Sequence, residues 1–167
     1  GGAVSCVDVS QLTIQNNIVI VTKHIIAIEL HLGGDSVVIT GNLIVTRNTA
    51  SEAVIALKGS DLNTEKNKPH PIRRALVANN LCLARSGSGI TFESGIDVAI
   101  QGNMIVASGS CLHGISLKST SGVMDNVAVR DNDIIGRPLA KWSTGIFIAP
   151  AATTAAKPYH MGYLSVT

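Results

Sequence analysis

Five segments of the chain share one pattern of apolar and polar positions. They align without gaps, each carries Asn at its sixth position, and the residue three before that Asn is always Ile or Val. The segments are LTIQNNIVI (12–20), VVITGNLIV (37–45), ALVANNLCL (75–83), VAIQGNMIV (98–106) and VAVRDNDII (127–135). A self-similar unit of this kind is typical of repeat architectures and decides the fold before any single motif does.

A second short strand is predicted after each repeated Asn. In each one, apolar residues alternate with small or polar residues, which is the period of a half-buried strand. The second strands are AIEL (27–30), VIAL (54–57), GITF (89–92), GISL (114–117) and GIFI (145–148). No segment combines helical spacing with helix caps, so the chain is predicted to be all-β.

The repeated Asn residues follow one another at spacings of 25, 38, 23 and 29 residues. Loops inserted into a regular solenoid explain this variation. Stacked coils place like residues about 4.8 Å apart, so Asn side chains at one turn can bond to each other and to the backbone. We expect a structural ladder of Asn17, Asn42, Asn80, Asn103 and Asn132.

The residue after each second strand also falls in one column of this register. The column reads His31, Lys58, Glu93, Lys118 and Ala149. Glu93 is therefore predicted to lie between two lysines of the neighbouring coils, where opposite charges are favourable.

The pattern v-x-I-x-x-N-x-I followed by G-I-x-L resembles the parallel β-helix repeats of the pectate-lyase-like superfamily. That group includes polysaccharide lyases, polygalacturonases, sugar epimerases and phage tailspikes. The resemblance covers nearly the whole chain and implies a single-stranded, right-handed parallel β-helix of about five to six coils over residues 1–167. Residues 164–167 match the opening of a sixth repeat, so we expect a fragment truncated within a further coil.

Composition narrows the function classes. The net charge of +2 is too small for a nucleic-acid footprint. The most apolar run, 18–32, contains two His, one Lys and one Glu, so we expect no membrane insertion. Three cysteines without C-x-x-C spacing predict neither a zinc site nor a disulfide framework, and Cys82 is expected to be a small buried hydrophobe.

Three long loops, 59–74, 118–126 and 149–162, are the places where function is expected, because rigid scaffolds usually carry function on loops. The first loop is basic and could meet an acidic polysaccharide, or it could simply be solvated. Its basic residues are Lys66, Lys68, His70, Arg73 and Arg74.

The segment CLHGISLKS (111–119) is similar to the G-H-G-I-S-I-G-S stretch of polygalacturonases, and His113 matches the His of that motif. Leu112 stands where the family has its first Gly. The region that should supply the family's aspartates, SGSGITF (86–92), contains none. The acid and base of an inverting hydrolase are therefore missing, and no complete catalytic motif is found.

Asp125, Asp131 and Asp133 form the remaining acidic group in the sequence, with Arg137 nearby. The resemblance to pectate lyases implies that such carboxylates could hold calcium, which prefers oxygen ligands, while Arg130 and Arg137 could act on a uronate. Alternatively, Asp131 and Asp133 simply flank the Asn132 turn, where Asp is common. Otherwise no cofactor is expected.

The few aromatic residues are concentrated near the C-terminal end of the sequence. Trp142, Phe147 and Tyr159 could stack on sugar rings, with a polar rim to orient the ligand. The candidate rim residues are Arg137, Lys141 and His160. The alternative is that the aromatic residues cap the fifth coil against a loop.

Three functions are compatible with these features. The first is a carbohydrate-recognising domain of a phage tailspike-like or surface fibre protein, extracellular or on the virion surface, with polysaccharide as its partner. The second is a fragment of a polysaccharide lyase, hydrolase or epimerase, and the third is a structural spacer. A homo-oligomer, with a trimer favoured as in tailspikes, is expected because an apolar face points outward whichever strand parity is inward.

Overall fold

The computed structural model describes residues 2–23, 25–59, 70–118, 123–136, 141–149, 160–161 and 164–167. In this part of the chain, fifteen strands form one continuous parallel sheet and no helix is present. The sheet winds into a β-solenoid of about five turns, which confirms the predicted all-β parallel solenoid.

The strands are numbered in chain order. They are β1 (Gly2–Ser10), β2 (Thr13–Gln15), β3 (Ile18–Val21), β4 (Ile26–Thr40), β5 (Leu43–Thr46), β6 (Ala53–Lys58), β7 (Ile72–Ala78), β8 (Leu81–Glu93), β9 (Gly95–Gln101), β10 (Met104–Lys118), β11 (Val123–Arg130), β12 (Asp133–Gly136), β13 (Lys141–Ala149), β14 (His160–Met161) and β15 (Leu164–Val166).

Each coil contributes to three parallel stacks. Stack A contains the strands before the repeated Asn: β2, the end of β4, β7, β9, β11 and β15. Stack B contains those just after it: β3, β5, the starts of β8 and β10, and β12. Stack C contains the second strands of the repeat: β1, the start of β4, β6, the ends of β8 and β10, and β13.

The turn between stacks A and B carries the predicted asparagine ladder. In four consecutive coils, the ladder Asn donates its backbone N–H and one amide proton to Oδ1 of the next ladder Asn, at 2.9–3.1 Å. The second amide proton of Asn103 reaches the carbonyl of Val77, one coil back, at 2.9 Å. Asn42, Asn80 and Asn103 are buried, so the ladder satisfies polar groups that water does not reach.

The residue before each ladder Asn adopts a left-handed conformation, which turns the chain sharply. These residues are Asn16, Gly41, Asn79, Gly102 and Asp131, with φ between 54° and 66°. Their alternation has a steric cause, because a Cβ on Gly102 would lie 2.6 Å from Oδ1 of Asn79. The same conflict, at 2.5 Å, exists between Gly41 and Asn16. A side chain at this position in one coil therefore favours Gly at the same position in the next coil.

The core is made of aliphatic columns inside the coils. Ile28, Ile55, Ile90 and Ile115 lie in register in stack C and are fully buried. Stack B sends Ile44, Cys82 and Ile105 inward, and burial raises the pKa of the Cys82 thiol to about 12. The expectation that Cys82 is a small buried hydrophobe is therefore confirmed.

The outer face of stack B is apolar, as the sequence predicts. Its most exposed members are Ile18, Ile20, Met104 and Ile135, with exposed fractions of 72%, 55%, 41% and 44%. Monomeric proteins rarely leave large continuous apolar patches uncovered, so this face is a candidate interface.

Two predictions about strand register are confirmed, and one strand was not predicted. Lys58 and Lys118 both pair with Glu93 in the backbone register, as predicted. Leu164 pairs with Val127, so residues 164–166 do occupy the opening of a further repeat. The strand β1 was not predicted, because it belongs to stack C of a coil that has no ladder Asn before it.

Within the described residues, no helix has the length and apolarity that crossing a membrane requires.

Replacing Asn103 by Leu should lower the free energy of unfolding by about 1–3 kcal/mol, because its buried bonding partners lose their hydrogen bonds. The measurement is urea unfolding followed by circular dichroism. Asn17→Leu is the matched control at the exposed end of the ladder, where water can replace the lost bonds, and it should cost less. Equal losses at both positions would contradict the role given to burial.

Candidate functional site

The three predicted loops leave the solenoid at the same corner. The residues at which stack C strands end before them, Lys58, Lys118 and Ala149, lie in one column with Glu93. Residues 60–69, 119–122 and 150–159 are outside the described part of the chain. The outward side of stack C is therefore the surface that adjoins all three loops, and it is the first place to look for a site.

The outward row of stack C has two chemically different ends. In register, it reads Glu29, Ala56, Thr91, Ser116 and Phe147. Ala56, Thr91 and Ser116 are buried, whereas Phe147 is half-buried. The accessible chemistry is thus concentrated at the Phe147 end.

At that end, His113 and Phe147 form a stacked pair. Their ring centroids are 4.3 Å apart and the rings are nearly parallel, with an interplanar angle of 7°. Nδ1 of His113 shares a 2.7 Å hydrogen bond with Oγ1 of Thr144 in the next coil. His113 pairs with Thr144 in the strand register, and the ring stacking adds Phe147 from the same strand as Thr144. We call His113, Thr144 and Phe147 the aromatic cluster.

The electrostatics of the aromatic cluster favour a neutral imidazole. Partial burial lowers the pKa of His113 from its usual value near 6.5, and the positive charge of Lys118 lowers it further. At neutral pH, the ring therefore offers hydrogen-bonding nitrogen atoms beside an aromatic face. Such a combination suits polyhydroxylated ligands, whose hydroxyls need polar partners and whose C–H faces stack on rings.

At the opposite end of the row, Glu29 is buried in a polar cluster. Its Oε1 lies 2.5 Å from Nε2 of His31 and 3.5 Å from Nζ of Lys58. Lys58 also pairs with Glu52, Nζ to Oε1, at 2.8 Å. Burial acts to lower the pKa of Lys58, but Glu52, Glu29 and Glu93 together hold it above its ordinary value. The predicted Lys58–Glu93 attraction is thus present, but it is the weakest of these effects.

One oxygen of this cluster is not satisfied. Oε2 of Glu29 is buried and has no hydrogen-bond partner among the described residues, and the same is true of Oγ of Ser116. A buried carboxylate oxygen without a partner is costly. Sequence analysis missed Glu29, and the available signal was its acidic side chain in a row that is otherwise small or aromatic.

The structure separates the three aspartates proposed as a group. Asp125 lies in stack A beside Ile96, Asp131 is the left-handed residue of the Asn132 turn, and Asp133 begins the stack B strand β12. Within the described residues, no three acidic, His or Cys side chains form a metal-binding group. Asp131 has the turn role that was its alternative, and the calcium site that the resemblance implied stays a prediction.

Of the other predicted ligand residues, only part is described. Arg137 and Tyr159 lie outside the described residues. Lys141 and Trp142 pair through their backbone with Ser110 and Cys111, and His160 pairs with Val123. The predicted joining of Trp142, Phe147 and Tyr159 with the rim of Arg137, Lys141 and His160 remains a prediction, whereas His113 and Phe147 do come together.

No protein-family model, curated protein or solved structure matches this chain. The solenoid fold therefore rests on the strand pairing described above, and the comparisons give no support to the pectate-lyase-like or tailspike resemblance.

The pKa of His113 should be below 6.5 when its ring signals are followed by NMR as a function of pH. Replacing Lys118 by Met should raise that pKa, because the nearby positive charge no longer opposes protonation. A His113 midpoint at or above 6.5, or one that Lys118→Met leaves unchanged, would contradict the electrostatic account.

Proposed function

We propose that this β-solenoid binds polysaccharide through the outward end of stack C. The observation that carries the proposal is the aromatic cluster, in which a neutral imidazole, a hydroxyl and a phenyl ring are held together at a half-exposed surface. Paired strands of two consecutive coils, β10 and β13, support it, so the cluster needs little reorganisation when it binds.

The stacked geometry refines how a sugar would contact Phe147. One face of the phenyl ring is covered by His113, so the ligand has the other face and the ring edges available. Thr144 is exposed and its hydroxyl can exchange its bond with His113 for one with a sugar hydroxyl. This arrangement agrees with the resemblance to carbohydrate-active β-helices, among which tailspike-like or surface fibre proteins are extracellular or on the virion surface.

A catalytic function is the second candidate, and the Glu29 cluster favours it. Two carboxylates, Glu29 and Glu52, contact one ammonium group, and glycosidic bond cleavage commonly uses a pair of carboxylates. If the chain belongs to a lyase, hydrolase or epimerase, Glu29→Gln should abolish product formation while oligosaccharide binding persists. Unsaturated products indicate a lyase, and new reducing ends indicate a hydrolase. Neither binding nor products would favour a structural spacer.

Titration with a panel of neutral and acidic oligosaccharides should shift the ring signals of His113 and Phe147 in NMR spectra and change the fluorescence of Trp142. Phe147→Ala should weaken binding by about tenfold, the equivalent of about 1.4 kcal/mol for a lost stacking contact. Val7→Ala is the control, since Val7 is an exposed apolar residue of β1, outside stack B and the aromatic cluster. Unchanged affinity in Phe147→Ala would remove the aromatic cluster as the site.

We also propose that copies of this chain associate through the outer face of stack B, with a trimer favoured. Supporting this, its outward row nearest the ladder turn contains the exposed residues Ile18 and Met104 and the half-buried residues Leu43 and Leu81. Light scattering at micromolar concentration should give a multiple of the 17.3 kDa chain mass, and Ile18→Ser with Met104→Ser should reduce it. A stable monomer of the unmodified chain would contradict the assembly.

A further inference from the structure

A groove runs along the edge of stack B, and its floor belongs to the apolar outer face of that stack. Val45, Leu83 and Val106, from three consecutive coils, form its aliphatic floor, and Arg47, Arg85 and Ser108 line its side. The groove encloses about 430 Å³, which is in the range of small-ligand sites.

The two arginines occupy the same position in neighbouring coils. Arg47 follows Val45 by two residues and Arg85 follows Leu83 by two, while Val45 and Leu83 are register partners. The coils remain together beyond this point, because Nη1 of Arg85 donates to the carbonyl of Arg47 at 3.4 Å. The two side chains therefore start about 4.8 Å apart, the spacing of adjacent strands.

This pair of cations has no acidic partner in the described part of the chain. The ion pairs found there within 4.0 Å involve His31, Lys58 and Arg74, but neither Arg47 nor Arg85. Arg74 shows the contrast, since it is paired with Asp35. Like charges directly opposite each other on adjacent strands are destabilising, so a bound anion would relieve a repulsion that the fold itself leaves in place.

The residues that line the groove indicate the chemistry of its ligand. Two guanidinium groups can bind one carboxylate through parallel N–H donors. The aliphatic floor accepts the apolar face of a ring. Ser108 donates its hydroxyl proton to the carbonyl of Ala84 at 3.3 Å, which leaves its oxygen free to accept a hydrogen bond from a ligand hydroxyl. A sugar ring with hydroxyls and one carboxylate can therefore contact the two guanidinium groups, the aliphatic floor and Ser108 together.

We propose that this groove binds the carboxylate of an acidic sugar unit, which makes the ligand an anionic polysaccharide. The inference rests on the proposed function and adds a second contact to it. Ser108 and His113 lie on the same strand, β10, so both sites belong to the side of the solenoid where stack B passes into stack C. One polysaccharide chain can then contact the arginine pair and the aromatic cluster together.

The test compares a hyaluronan tetrasaccharide, which carries carboxylates, with its methyl ester and with a neutral dextrin of similar length, by calorimetry at low salt. The acidic form should bind at least about tenfold more tightly than its ester, as expected for charge-assisted hydrogen bonds. The double variant R47Q and R85Q should lose that difference. R130Q is the matched control, because Arg130 lies in stack A and donates to Gln101 at 2.8 Å, and it should keep the difference.

Both arginines are exposed, so the double variant should keep its melting temperature, and circular dichroism verifies that it is folded. Equal affinity for acid and ester, or a folded double variant that binds the acid as tightly as the unmodified chain, would overturn the inference. A sulfated tetrasaccharide or a DNA oligonucleotide that binds more tightly through the same arginines would overturn the carboxylate assignment.

The two proposals fail differently. If Phe147 signals respond equally to acid, ester and dextrin while the arginine variants change nothing, the groove is rejected and the proposed function stands. If none of the sugars shifts Phe147 but the acidic form still depends on the arginine pair, the aromatic cluster is rejected and the groove stands.

Discussion

The asparagine ladder is the constraint on which the rest of the structure depends. A coil of this solenoid has no antiparallel partner within itself, so its backbone and its turn groups are satisfied only by neighbouring coils. Oδ1 of each buried ladder Asn accepts two bonds from the preceding Asn, and its amide donates two more. A shift by one residue would break all four and would also turn inward residues outward. The ladder therefore fixes the register of stacks A and B together.

Once the register is fixed, side chains from distant parts of the chain become neighbours in rows. The inward rows are apolar and carry the hydrophobic stabilisation. The outward side chains do not have to be apolar, so the residue type within one outward row can differ from coil to coil. Glu29 and Phe147 share one row, yet the first is buried in an ionic cluster and the second belongs to an accessible aromatic pair. Functional chemistry is expected in such rows.

Charge is sparse in this chain, at 14% of residues, so its placement is informative. Lys58 neutralises Glu29 and Glu52, and Arg74 neutralises Asp35. Arg47 and Arg85, by contrast, are adjacent cations without an acidic partner among the described residues. They lie beside the aliphatic residues Val45, Leu83 and Val106 on the outer face of stack B. An acidic polysaccharide bound there can also contact the aromatic cluster, where stack B passes into stack C.

The sequence by itself determined the strand stacks, the ladder and the register of Lys58 with Glu93, because these follow from a periodic pattern in which each coil repeats local turn chemistry. It also placed His113 and Phe147 among its candidates, but it grouped Phe147 with Trp142 and Tyr159 and grouped Asp125 with Asp131. Tertiary structure alone decided that His113 stacks on Phe147, that Asp125 and Asp131 lie apart, and that Arg47 adjoins Arg85. Loops of different length separate these residues along the chain, so only the coil stacking, together with the direction of each side chain, determines which of them meet.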